Sequence, residues 1–408
     1  MTRIQFCWGL PSLLAIGVFG LPIAATEGQE SSIQGVPSDT RPPILGYESA
    51  FAAMGTQVQL KAFHQDRELV ARTFEQVERR VHALAAILTD YDPESETRRL
   101  SQSAAHHPAP VSDELWEVLE ASDRWFRLSG GAFDASLGQL TVLWRKYRRT
   151  PRQPTGEEIS RALQQTGWQQ VQLDARARAV SFSSPDIRLD FGAIGKGYIV
   201  DQAFELLVAA GIPCALVNIS GNMRAGDAPP DRDGWRIAIA PVEEGGQPLR
   251  RVTLVQRSIA TSGDLWQYTV IAGVRRSHIL DPQTGVGVPG PRCATAIAAT
   301  ATDADALATT ACIVGFDGAA KLLAELPGYE LLCAQRVGLE PLRTDNNLDD
   351  DHPVPDPQAT IGPVRVQITA GFPANVPMDV CADVCADVPA DVSEDDLLPS
   401  GSLHDDRQ

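Results

Sequence analysis

The chain has 408 residues, 43% of them hydrophobic, and a formal net charge of −17 at pH 7. That length and apolar content allow two or three average domains, or one large domain with extensions. So acidic a balance excludes nucleic acid as the main partner, because a phosphate backbone requires basic stripes.

The charge is unevenly placed. Residues 341–408 carry 14 acidic and 3 basic side chains, so most of the surplus sits in a C-terminal tail. At the other end, Arg3 precedes a mostly apolar run from Ile4 to Ala25 that closes on Ala24 and Ala25. This is the anatomy of a secretory signal over residues 1–25, cleaved or kept as an anchor. It predicts an exported chain, periplasmic or attached to the outer face of the cytoplasmic membrane. No later run approaches the roughly 20 apolar residues that a membrane span needs.

Cys7 precedes most of the apolar run and is badly placed for a lipid anchor. Cys214, Cys293, Cys312, Cys333, Cys381 and Cys385 lie beyond it, with spacings that define no disulfide framework. Cys381 and Cys385 fall in the repeat VCADVCADVPADV, which reads as low-complexity drift and not as a metal site.

Residues 26–45 are patternless and read as a linker. A strand follows over 51–63, with Met54-Gly55-Thr56 near its start. Phe74, Val77, Val81, Leu84 and Leu88 recur at helical intervals and predict a helix that ends before Tyr91-Asp92-Pro93. A second helix starts at Asp113 behind Ser112 as cap and stops at Ser129-Gly130-Gly131. A short helix lies within Thr150–Gly167.

The stretch RLDFGAIGKGYIVD (188–201) reads as a short strand, a turn with Gly192, Gly195 and Gly197, and a helix start. Such a turn presents backbone N–H groups to an anion, with Lys196 adding a cation and Asp190 a carboxylate. The glycine spacing fits neither the P-loop nor the dinucleotide fingerprint. By itself the run is also ordinary punctuation between a strand and a helix.

Beyond it, strands are expected at 214–222, 235–241 and 252–264, a hairpin over Trp266–Leu280 around Ala272-Gly273, a strand at 293–300 and a helix over Asp303–Gly315. On that helix Asp305 and Thr309 share a face, offering hard oxygen donors suited to Mg²⁺. A carboxylate near a helix N-terminus also simply complements the dipole. After about residue 340 only Val364–Thr369 resembles a strand. The mixed order of elements predicts an α+β domain over 46–340, with mixed and antiparallel sheets packed against helices, and a largely disordered acidic tail over 341–408.

Met54-Gly55-Thr56, TDYDPESETRRL (89–100), Gly131-Ala132-Phe133-Asp134, DFGAIGKGYIVD (190–201), LVNISGN (216–222), ATSGD (260–264), SHILDPQTG (277–285) and DADALATTACIVG (303–315) occur in this order. Together they resemble the FAD:protein FMN transferase family, known as ApbE-type, across nearly all of 46–335. The resemblance implies Mg²⁺-dependent cleavage of FAD, with FMN passed to a Thr or Ser hydroxyl of an acceptor protein and AMP released. The acceptor it implies is an exported protein or a subunit of a membrane redox complex.

Carried over by motif, Met54, Tyr91, Ala132, Phe133, Asp134, Asp190, Lys196 and Ile279 match positions that contact FAD. The main-chain oxygen of Ala193, the carboxylate of Asp305 and the hydroxyl of Thr309 match the metal ligands. His278 is the candidate base for the acceptor hydroxyl, and Asp305 is expected to be essential to catalysis. Ala308 stands where some relatives have an acidic ligand, Ser220-Gly221 replaces a Gly-Gly pair, and residues 286–290 depart from the family pattern. Two other readings remain: an FAD pyrophosphatase giving FMN and AMP, and a flavin-binding module without catalysis.

Overall fold

In the computed structural model, which describes residues 44–148, 152–271, 274–337, 363–376 and 384–385, strands and helices alternate irregularly. The chain opens with β1 (Leu45–Ala53) and β2 (Thr56–His64), then α1 (Arg67–Leu88), α2 (Glu96–Ser103), β3 (Ala109–Pro110) and α3 (Asp113–Leu128). It continues with α4 (Gly138–Arg148), α5 (Gly156–Gln164), β4 (Val171–Asp174), β5 (Ala179–Phe182), α6 (Gly195–Ala209), β6 (Ala215–Ile219) and β7 (Asn222–Ala225). After these come β8 (Trp235–Ile239), β9 (Arg250–Leu254), β10 (Arg257–Gly263), β11 (Tyr268–Ile271), β12 (Val274–Leu280) and β13 (Gly287–Pro289). The last are β14 (Arg292–Ala298), α7 (Ala301–Leu323), β15 (Glu330–Arg336), β16 (Val364–Ile368) and the short β17 (Val384–Cys385).

One antiparallel sheet of eight strands, in the order β1-β2-β6-β7-β10-β14-β15-β16, organises the molecule. Side chains alternate across it, as strand geometry requires. On β14, Ala294, Ala296 and Ala298 enter the larger core beneath the helices, while Cys293 and Ile297 enter a second core on the opposite face. The helical face is covered by α1, α6 and α7, and its small residues let α7 lie close against β10 and β14. The opposite face is covered by β8 and β9, which contribute Trp235, Ile237, Val252 and Leu254. Small sheets β11-β12-β13 and β3-β5-β4 flank this body, and the chain is α+β as expected.

Several boundaries differ from the sequence reading. The strand expected over 51–63 is the hairpin β1–β2, because Met54 and Gly55 take φ of +54° and +68° and turn the chain between Ala53 and Thr56. Its first strand begins at Leu45, at the end of the expected linker. The strand expected over 252–264 is two, β9 and β10, broken where Gln256 takes φ of +52°. Arg188–Phe191 is extended but joins no sheet beyond one bridge from Arg188 to Leu137.

The helix α7 runs past Gly315, whose φ of 72° and ψ of 177° break it there, where the sequence predicts its end. By length and composition α7 could cross a membrane, which corrects the expectation that no such run follows the N-terminus. Its residues up to Cys312 pack into the larger core. The strand expected at Val364–Thr369 forms as β16 and extends the main sheet beside β15. Phe372 behind it is buried in the second core. The signal segment 1–25, most of the linker, Cys381 and the rest of the acidic tail lie outside the described residues. Cys214, Cys312 and Cys333 are free thiols.

Candidate functional site

Two helices that cap one another build the centre of the site. The helix α6 starts at Gly195 with no side-chain cap at Ile194. The first N–H groups of any α-helix, that of Gly197 among them here, have no partner within the helix. The Gly197 N–H donates to Asp305 Oδ2 on α7 at 3.0 Å, and the first helical bond runs from Tyr198 to Ile194. In return Asp201 of α6 accepts from the N–H groups of Ala301 and Thr302, at 2.9 and 2.8 Å, and so caps α7. The exchange needs Gly197, since a Cβ there would stand 2.2 Å from the Ala301 oxygen.

The Ala193 carbonyl, one residue before the Ile194 cap, lies outside the helical ladder, and the other Asp305 oxygen takes no hydrogen bond among the described residues. Burial pushes the Asp305 carboxyl above the usual range, and the nearby Lys196 charge and the Gly197 N–H pull it back. One turn along α7, the Thr309 hydroxyl meets Ser262 Oγ at 2.9 Å. Among the described residues no three of His, Cys, Asp and Glu group to hold a metal. An ion here would therefore be held by mixed oxygen donors: the Ala193 carbonyl, one Asp305 oxygen and the Thr309 hydroxyl.

Asp190 stands just before this turn. Its Oδ1 accepts the Gly192 N–H at 2.8 Å and its Oδ2 accepts from Arg145 at 3.1 Å. Burial and then the neighbouring Asp90 carboxylate push its pKa up, against the pull of Arg145. Lys196 Nζ donates to the Gly192 carbonyl at 3.1 Å, which holds the cation over the same turn. Arg145 also donates to Asp90 at 2.7 Å and lies 4.0 Å over the ring of Tyr91, which is 64% exposed.

Arg145 further lines a cleft with Trp144 of α4 and with Tyr268, Thr269, Ser277 and His278 of the β11–β12 hairpin. The cleft holds about 30 Å³, room for a water and not for a flavin ring. A dinucleotide would have to lie along its mouth. His278 Nδ1 meets the Gln267 carbonyl at 3.1 Å. A wider cleft between β1 and α1, about 300 Å³, contains none of the candidate site residues singled out by sequence.

The structure thus gathers Asp190, Ala193, Lys196, Asp305 and Thr309 around one turn, and joins Tyr91 and His278 to it through Arg145. Ala132 and Phe133 are buried, Phe133 in the larger core, and Ile279 is buried there too. Asp134 is occupied by Ser136 beside it and by the distant Trp168. It accepts from the N–H and hydroxyl of Ser136 at 2.7 and 2.6 Å and from the Trp168 N–H at 3.2 Å. Met54 sits on the β1–β2 turn against the larger core.

Sequence reasoning missed Arg145, Asp90 and Asp201. Arg145 lies on α4, an unrecognised helix, and the pairing of a WRKYRR run with a distant carboxylate leaves no local signal. Asp90 and Asp201 lie inside motifs already quoted, where their burial was invisible.

The model of the ApbE family matches residues 54–333. A FAD:protein FMN transferase of Treponema pallidum (strain Nichols) is 30% identical over 316 residues, covering 72% of this chain and 85% of that protein. One from Escherichia coli (strain K12) is 28% identical over 256 residues, covering 61% and 73%. Among solved structures, the flavin transferase ApbE from Vibrio cholerae superposes with a TM-score of 0.64 at 27% identity, over 72% of this chain and 94% of that one. The apo form of the Pseudomonas stutzeri flavinyl transferase ApbE gives 0.63 at 30% identity, over 72% and 92%.

Proposed function

Because the chain belongs to the ApbE family, we propose that it is a magnesium-dependent enzyme that splits FAD and joins the FMN half to a Thr or Ser hydroxyl of an exported redox protein. The chain is a flavin-transferring enzyme, as its relatives are. The metal, the hydroxyl acceptor and the compartment are our reading. The compartment rests on the basic and apolar residues before Thr26.

The observation that carries the reading is the Gly197–Asp305 bond, which brings a buried carboxylate to the N-terminal turn of α6, where the Ala193 carbonyl lies just before the helix start. A carbonyl, a carboxylate oxygen and a hydroxyl are hard donors that suit Mg²⁺ and not zinc. Such an ion would neutralise the charge that builds on the diphosphate during transfer.

The chain's own groups supply the rest. Lys196 holds a cation at an N-terminal helix turn where phosphate oxygens are favoured. Its contact with the Gln267 carbonyl makes His278 Nδ1 the donor and Nε2 the basic nitrogen, which takes the proton of the acceptor hydroxyl. The hydroxyl oxygen bonds to the FMN phosphorus as the bond from that phosphorus to the bridging oxygen breaks. AMP leaves with the bridging oxygen.

The test incubates the purified chain with FAD, Mg²⁺ and a Thr-bearing acceptor domain, and follows intact acceptor mass together with AMP. An FMN-sized gain on the acceptor, matched by AMP and abolished by a chelator, is expected. AMP without adduct identifies a pyrophosphatase, and flavin binding without AMP identifies a module. Asp305→Asn should lower transfer on the order of a hundredfold or more.

A further inference from the structure

Flavin transfer to a protein needs a surface for the second substrate, and the cleft residues do not provide it. The hairpin beside the cleft does. In the sheet β11-β12-β13, the outer edge of β11 has no partner strand among the described residues. Trp266, Tyr268 and Val270 are exposed there by 44, 47 and 64%, at every second position. Edge strands are usually protected by charged side chains. The sequence of β11, YTVI, has none.

The register makes this edge usable. His278 N–H donates to the Gln267 carbonyl, and Thr269 lies opposite Arg276. Antiparallel pairs alternate between bonded and non-bonded residues. Gln267, Thr269 and Ile271 therefore turn their main-chain groups toward β12, and Tyr268 and Val270 turn theirs outward. Tyr268 also lines the cleft with His278, so a strand laid along this edge runs off its end into the site.

Resting on the flavin-transfer reading, we propose that the free edge of β11 docks the acceptor polypeptide. An extended segment with apolar residues adds as a fourth strand beside Tyr268 and Val270, and delivers its hydroxyl to His278. Main-chain bonds along the edge supply affinity, and the exposed stripe supplies specificity.

Val270 lies outside the cleft, so it tests docking without touching the site. Val270→Pro removes an N–H that points away from β12, Val270→Asp places charge on the stripe, and Val270→Thr retains the N–H. The proline and aspartate variants should raise the KM for the acceptor domain about tenfold, the scale of one or two lost hydrogen bonds. Flavin fluorescence quenching should show unchanged FAD affinity, the melting temperature should hold, and Val270→Thr should stay close to the parent. Transfer with an unmoved acceptor KM in both variants overturns the docking edge alone. So does a parent dimer that Val270→Asp dissolves, which would assign the edge to a second copy. A parent chain that makes neither adduct nor AMP sinks the flavin-transfer reading and this one with it.

Discussion

Replacing Gly197 by alanine tests the exchange of caps between α6 and α7, and Gly195→Ala is its control. Both glycines lie in the first turn of α6, so both substitutions gain helix propensity, about 1 kcal/mol in a helix interior. Their surroundings differ. A Cβ at Gly195 would meet the Phe191 Cβ at 3.5 Å and Leu88 Cδ1 at 3.8 Å, ordinary contacts. A Cβ at Gly197 would lie 2.2 Å from the Ala301 oxygen and 2.6 Å from its carbonyl carbon, both main-chain atoms that no rotamer can move. Reaching a tolerable 3.0 Å means parting the helices by about 0.8 Å. Overpacking of that kind costs about 1–3 kcal/mol. The parting also stretches the 3.0 Å bond from Gly197 to Asp305, and a hydrogen bond to a charged group is worth about 1.5–3 kcal/mol. Gly197→Ala should therefore lose about 2–5 kcal/mol net, a fall in melting temperature on the order of 5–15 °C for a domain of this size. Gly195→Ala should melt at or slightly above the parent. Calorimetry reads the first difference, and magnesium-dependent transfer, expected to fall with Gly197→Ala only, reads the second. If the two variants melt alike, close approach of α6 and α7 is not what requires glycine at 197.

Three further substitutions test other parts of the frame. Arg145→Met leaves the buried Asp90 and Asp190 facing each other and should cost about 3–5 kcal/mol at neutral pH. The deficit should shrink as pH falls in urea titrations, because Asp190 already takes up its proton above the usual range and its neutral form needs no partner. Glu158 closes a capping box with Thr155, whose main-chain N–H, followed by the Tyr147 hydroxyl, lowers its pKa from 4.5 to about 2. Its contribution is full above pH 4.5 and disappears as pH falls toward 2, so melting curves of Glu158→Gln and the parent should converge at acid pH and separate above it. Phe372→Ala should cost about 3–5 kcal/mol in denaturant unfolding, as for other buried aromatic truncations, even though the residue lies in a stretch whose composition reads as tail.

Where burial is organised within a single element, the sequence announced it. Phe74, Val77, Val81, Leu84 and Leu88 repeat at helical intervals and all are buried on α1. Ser112 accepts from the Leu115 N–H and caps α3 as read. The arms of the hairpin expected over Trp266–Leu280 pair as read, Tyr268–Ile271 with Val274–Ser277, while 272–273 lie outside the described residues. Legibility fails where a neighbour decides the conformation. The strand β1 is an edge strand with outward residues exposed, so its pattern resembles a linker. On α4, Leu140, Leu143, Trp144 and Tyr147 do recur at helical intervals, but the run is short and four basic residues, Arg145, Lys146, Arg148 and Arg149, crowd its end and hide the stripe. The break between β9 and β10 falls at Gln256, a residue that carries no turn signal.

The same division runs through the site. The glycines, the lysine and the Asp-x-x-x-Thr spacing are local and were visible, but the bonds that give them chemical meaning are not. Gly197 and Asp305 are 108 positions apart, and Asp190 and Arg145 are 45 apart. Composition alone cannot say that Gly192 is free for a turn whereas Gly197 is held against α7, yet the two have different consequences. A larger residue at 192 would press first on the Asp190 carboxylate at 3.0 Å, a side chain that can give way. At 197 it would force apart the main chains of α6 and α7, and with them the Gly197–Asp305 bond. A motif of three glycines is thus one flexible position and one packed position around a third, Gly195, that only ordinary contacts surround. The packed one also shapes the electrostatics of the turn, because there the close approach of α7 lets a buried carboxylate take up a helix-start N–H that has no partner within its own helix.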